Sequence, residues 1–139
     1  MNRRPFTPRG FLIWAGSGLT VVGVLGALGI LSQSFAPGFW VDAYQATVYL
    51  VLGVFALLAV YLTRLKVLLR PYLRRIVQVY GVVALLAGLY GFVAVGNPSP
   101  NVFGLANFEV SEFLLYLILA TWAFAAGYYP TREPAAAPG

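Results

Sequence analysis

Four apolar runs, each about 20 residues long, alternate with three short stretches that carry proline, glycine or charge. The first run extends from about Phe11 to Leu31 and the second from about Ala43 to Thr63. The third covers about Ile76 to Val95, and the fourth about Val110 to Tyr129, with one acid, Glu112, in its first turn. About 20 apolar residues suffice for a helix to cross a hydrocarbon core of about 30 Å. Backbone polar groups in lipid must be satisfied within the segment, which selects helices. The connections contain Pro37-Gly38, Pro71 and Asn97-Pro98-Ser99-Pro100, residues that end helices where water can take over. The pattern predicts an all-α membrane protein: a single domain over 1–139, a bundle of four transmembrane helices, and a flexible tail over 130–139.

Composition strengthens this reading. Of 139 residues, 60% are hydrophobic and 9% charged, against about 25% charged in a soluble domain. So little polar surface could not coat a water-facing globule. The nine basic residues are segregated. Arg3, Arg4 and Arg9 precede the first run, Arg64, Lys66, Arg70, Arg74 and Arg75 separate the second and third, and Arg132 follows the fourth. The other two connections hold Asp42 and Glu109 and no base. The positive-inside rule then puts both termini in the cytoplasm, in a bacterial inner membrane. Trp14, Trp40, Tyr44, Tyr61, Phe103, Phe108, Tyr128 and Tyr129 fall near the run ends, the headgroup depth that such rings prefer. A cleaved signal peptide is the competing reading of the first run, with Ser34-Phe35-Ala36 as its small-x-small site. The run is longer than the 7–15 residues usual for a signal core, so an uncleaved span is expected.

Aligning Gln45–Leu62 with Glu112–Tyr129 pairs Tyr49 with Tyr116, Leu52 with Leu119, Ala56 with Ala123 and Ala59 with Ala126. A weaker pattern relates Gly26-Ala-Leu-Gly29 to Gly88-Leu-Tyr-Gly91. Two such hairpins, entering the membrane from the same side, would be parallel repeats about an axis along the membrane normal. Packing seams are expected at Gly23, Gly26 and Gly29, at Ala84 and Gly88, and at Ala123 and Gly127.

Candidate chemistry is narrowed by what is missing. There is no cysteine and no histidine, which removes thiolate sites, the usual haem ligand and the commonest metal ligand. No enzyme activity, cofactor or metal is expected. The strongest candidate is a polar pocket formed by Gln45, Tyr49, Glu112 and Tyr116. Each pair is spaced i, i+4, so its members share a helix face, and an ionisable group in a span is a functional candidate by default. The competing structural reading keeps Glu109 and Glu112 as acids at a helix N-terminus, with Asn107 as the cap. Gln78, Tyr80 and Tyr90 are expected in interhelical hydrogen bonds or packing. Arg64, Lys66, Arg70, Arg74 and Arg75 are expected to contact anionic lipid headgroups or a partner subunit. Nucleic acid is not expected, since this basic segment is a tight connection held against the bilayer.

The stretches Gln45-Ala-Thr-Val-Tyr49-Leu-Val-Leu-Gly and Glu112-Phe-Leu-Leu-Tyr116-Leu-Ile-Leu-Ala resemble the even-numbered spans of small bacterial four-helix membrane proteins. These are the DoxX-like proteins and a neighbouring family of unknown function, whose even spans open with Asp or Asn followed by histidine and an apolar run. The resemblance implies the same bundle and, for some members, quinone-linked sulfur oxidation or redox complexes. Tyr49 and Tyr116 stand at the histidine positions, so haem ligation does not carry over. Two functions are expected ahead of redox chemistry: an accessory or scaffold subunit that packs against a larger membrane complex, or a small-molecule, lipid or ion carrier with an outward-facing polar pocket. A pigment contact would fall under the first.

Overall fold

A computed structural model of the chain describes residues 4–31, 41–98 and 110–128. These residues form four α-helices, each long and apolar enough to cross a membrane: α1 (Pro8–Ala27), α2 (Ala43–Leu65), α3 (Arg70–Ala94) and α4 (Val110–Tyr128). A single 3-10 turn, Val67–Leu69, joins α2 to α3. No strand occurs among the described residues. The predicted four-helix membrane bundle is what the chain forms, and the protein is read as multi-pass. Leu12, Ala56, Val77 and Ala123 are buried in a core shared by all four helices. Leu58, Leu86, Phe92 and Ile118 face outward, as lipid-facing side chains do.

Two boundaries differ from the sequence expectation, for physical reasons. The first span was expected to reach Leu31, but α1 ends at Ala27. Gly29 adopts φ 74°, its N–H donates to the Gly26 carbonyl, and the Ile30 N–H donates to the Leu25 carbonyl. These are the paired bonds of a Schellman turn, which needs a residue tolerant of positive φ. Gly29 is therefore a helix stop, exposed, and no part of the packing seam. The third span was expected to begin near Ile76, after a connection broken by Pro71. Instead α3 begins at Arg70, with Pro71 in its first turn, where a missing N–H costs nothing because that donor has no intrahelical partner.

Close packing within each hairpin comes from small residues. A Cβ on Gly23 would lie 2.7 Å from the Leu50 backbone nitrogen and 3.0 Å from the Ala46 carbonyl oxygen, so α1 and α2 meet backbone to backbone there. The α3–α4 seam is softer, since a Cβ on Gly88 would meet the Leu117 side chain at 2.9 Å. Gly88 faces Leu117 as Gly23 faces Leu50. This contact environment pairs Gly88 with Gly23, three residues before the Gly26 of the sequence pattern. Between the hairpins the approach is looser. α1 touches α3 and α4, and α2 only grazes α3. Large rings fill that interface: Phe11 lies edge-on to Trp122 at 5.1 Å and to Tyr80 at 6.4 Å between centroids.

Candidate functional site

The site is built from the start of α2. Asp42 is the N-cap, and its Oδ1 accepts the Gln45 N–H at 2.8 Å. The Gln45 Oε1 accepts the Asp42 N–H at 3.0 Å in return, completing a capping box. That reciprocal bond fixes one end of the Gln45 carboxamide. The other end, Nε2, donates to Oε2 of Glu112 at 2.9 Å. Glu112 sits in the first turn of α4 and is 1% exposed, against 8% for Gln45. An expected N-terminal carboxylate is thus also a buried one, tied across the hairpin interface. Asn107 and Glu109 lie outside the described residues.

One turn deeper, Tyr49 and Tyr116 meet with ring centroids 6.2 Å apart. Tyr49 is fully buried, with its hydroxyl paired with that of Tyr116. Its polar neighbours are Tyr116, Glu112 and Asp42. All four residues singled out from the sequence therefore come together, in one cluster at the acidic end of the bundle.

Beside this cluster the hairpins enclose a cleft of about 170 Å³. Phe11, Ala15 and Leu19 of α1 form its back, and Leu119 and Tyr116 of α4 one side. Leu52 and Phe55 of α2 face Tyr80 and Ala84 of α3 across it. Phe55, Val79 and Val83 are exposed, so the mouth lies between α2 and α3 and opens sideways. Tyr80 stacks on Phe55 at 6.5 Å and donates its hydroxyl to the Leu52 carbonyl at 2.6 Å. Tyr116 belongs to both features: it lines the cleft and packs on Tyr49. The lining is apolar apart from the two tyrosines, and Gln45, Tyr49 and Glu112 are no part of it.

The cleft was not foreseen from the sequence. Of the residues singled out from the sequence, Tyr116 and Tyr80 line it; Tyr80 was expected in an interhelical hydrogen bond or packing, and it does make such a bond. Gln78 does too, weakly, with Nε2 at 3.4 Å from the Gly127 carbonyl. Tyr90 lies near the end of α3, partly exposed.

The five basic residues cluster at the opposite end, but less as a loop than expected. Arg64 lies in the last turn of α2 and Lys66 caps it. Arg70, Arg74 and Arg75 belong to the first two turns of α3, and all five are exposed. The Arg75 guanidinium sits 5.9 Å from the Tyr72 ring centroid. The start of α1 joins this end, since the Trp122 indole N–H donates to the Pro5 carbonyl at 2.7 Å and Ile13 neighbours Val60 and Arg64. Trp14, Tyr44, Tyr61 and Tyr128 are exposed near helix ends, as headgroup-depth rings would be, while Trp40, Phe103, Phe108 and Tyr129 lie outside the described residues. Comparison of the chain with protein-family models, curated proteins and solved structures finds no match.

Proposed function

We propose that this chain is a membrane-embedded binding protein, a carrier for a lipid-soluble small molecule held between its two hairpins. The observation that carries this reading is the sideways-opening cleft whose wall, at Tyr116, adjoins the buried Gln45–Glu112 pair. A ligand would enter from the lipid between α2 and α3. Its apolar part would fill the slot, and its polar part would meet the cluster. The accessory-subunit reading rests on the chain's lack of reactive side chains, whereas the carrier reading rests on a cleft that the fold contains. No redox role is proposed.

The residues that meet at the cluster, Gln45 with Glu112 and Tyr49 with Tyr116, are those aligned by the 67-residue offset. This supports reading the hairpins as parallel repeats about an axis through the cluster. The segregation of basic residues supports a bacterial inner membrane, with the basic end and both termini in the cytoplasm. The exposed arginines there suit anionic headgroups, each contributing about 1 kcal/mol.

The test is purification of the native protein in mild detergent, with mass spectrometry of extracted small molecules and co-purifying proteins. A bound lipid-soluble molecule is expected, lost from Ala84→Phe, which fills the slot. A stoichiometric larger membrane complex with an empty cleft would overturn the carrier reading in favour of the accessory subunit.

A further inference from the structure

We propose that the basic end holds one anionic phospholipid at a fixed place, in a furrow between α1 and α2 with Arg64 at its mouth. This rests on reading that end as headgroup-facing, and does not depend on the carrier reading. Shape, depth and charge carry it.

Ile13 of α1 and Leu57, Val60 and Tyr61 of α2 line a furrow of about 360 Å³ that ends at Arg64. It shares no residue with the cleft. Leu57, Tyr61 and Arg64 recur at helical spacing, so they lie along one face of α2, whereas the cleft takes Leu52 and Phe55. Two helical turns separate Leu57 from Arg64, about 10 Å along the axis. The furrow is thus apolar along its length and cationic at one end. A hydrocarbon chain joined to a phosphate has that form.

The depth agrees. Arg64 lies in the last turn of α2, and the Tyr61 ring, one turn before it, is exposed. A phenol and a guanidinium at the end of a span lie at headgroup level. Leu57 and Ile13 lie deeper, where acyl chains run. The phosphate of a lipid in that leaflet would stand level with Arg64 while its chain filled the furrow. A guanidinium fork suits phosphate oxygens, to which it can donate two parallel hydrogen bonds.

Charge selects among lipids. Asp42 and Glu112, the acids among the described residues, begin α2 and α4 at the other end of the bundle. Lys66 caps α2 and Arg9 stands in the first turn of α1, so the furrow opens where the potential is positive. A zwitterionic head would bring a further cation there. A head with net negative charge, such as phosphatidylglycerol, would not. A free phosphate could meet Arg64 but would leave the furrow unfilled.

The experiment is native mass spectrometry of the full chain, delipidated in mild detergent and titrated with palmitoyl-oleoyl phosphatidylglycerol or the phosphatidylcholine of the same chains. The first equivalent of phosphatidylglycerol is expected to bind about fivefold or more tightly than phosphatidylcholine. Arg64→Gln is expected to remove that preference. Arg75→Gln, an equal loss of charge on α3 outside the furrow, is expected to keep most of it, and excess glycerol phosphate should not displace the lipid. An equal fall in the two variants would mean diffuse attraction by the whole basic end; the headgroup reading would stand and the fixed site would fall. Equal binding of the two lipids by the native protein would overturn both. Displacement by glycerol phosphate would make Arg64 a phosphate site and overturn the lipid. Arg64 and Arg75 are both exposed, so neither substitution disturbs the core.

Discussion

The Gln45 carboxamide holds the Glu112 carboxylate at 2.9 Å across 67 residues of chain, inside the bundle. It does so with its other end already fixed by the Asp42 backbone. With the Tyr80–Leu52 and Trp122–Pro5 hydrogen bonds it ties the two hairpins together, so it contributes to hairpin docking as well as to the site. Substituting Gln45→Ala and Glu112→Ala singly and together is expected to give a coupling of about 0.6–1.7 kcal/mol. Denaturant titration of the four proteins in detergent micelles measures it, and additive losses would mean the bond does no work in docking.

Gly23 and Gly18 lie on the same helix and should respond oppositely to alanine. At Gly23 the new methyl would meet backbone atoms of α2 that cannot yield, so Gly23→Ala should destabilise by about 1–3 kcal/mol. At Gly18 a Cβ would meet nothing within 4 Å beyond its own stretch of helix backbone. Gly18→Ala should be neutral or stabilising by up to about 1 kcal/mol, the helix-propensity difference. Thermal unfolding in one detergent compares the two directly.

Tyr80 spans the mouth of the cleft to reach the Leu52 carbonyl. Tyr80→Phe keeps the ring and its stacking on Phe55, and loses the hydroxyl bond. The expected loss is about 0.5–1.5 kcal/mol, with wider separation of α2 and α3 seen as increased spin-label distance between them. An unchanged distance would assign the spacing of these helices to ring packing alone.

Asp42→Ala removes the cap oxygen and should cost about 0.5–2 kcal/mol, while Asp42→Ser should largely restore it. The Asp42 N–H that holds Gln45 Oε1 is a backbone group, so it survives the substitution. The Gln45–Glu112 coupling should therefore be unchanged in Asp42→Ala. A lost coupling would show that Gln45 is oriented by the cap side chain and not by the backbone.

Much of this was legible in the sequence, for reasons of differing strength. Span number and approximate position follow from hydrocarbon thickness, a constraint so general that four apolar runs with one acid among them leave little choice. The cluster was legible because two tyrosines and two polar residues repeat at one offset, and the same residues meet in the fold. Asp42 and Gln45 form an Asp-x-x-Gln capping signature, a signal carried by polar residues that the periodicity of apolar runs does not register. Pro71 and Gly29 were misplaced because each has two uses. Proline both breaks helices and starts them, and glycine both packs seams and terminates helices. The cleft could not be read at all. It exists because glycines draw each hairpin tight while Phe11, Tyr80 and Trp122 hold the hairpins apart, a balance of distances that no local pattern encodes.

The backbone seam between α1 and α2 bears on how the protein is made. Everything that seam needs, from Gly23 to Leu50 and Ala46, has been synthesised before the first residue of α3. The leading hairpin can therefore close in the bilayer while the rest of the chain is still emerging. Glu112 arrives late, at the head of the last helix, and finds Gln45 already held in place by Asp42. The hydrogen bond between them is then a closing latch, and an unlatched bundle would leave a buried acid in view of the cell's membrane quality control.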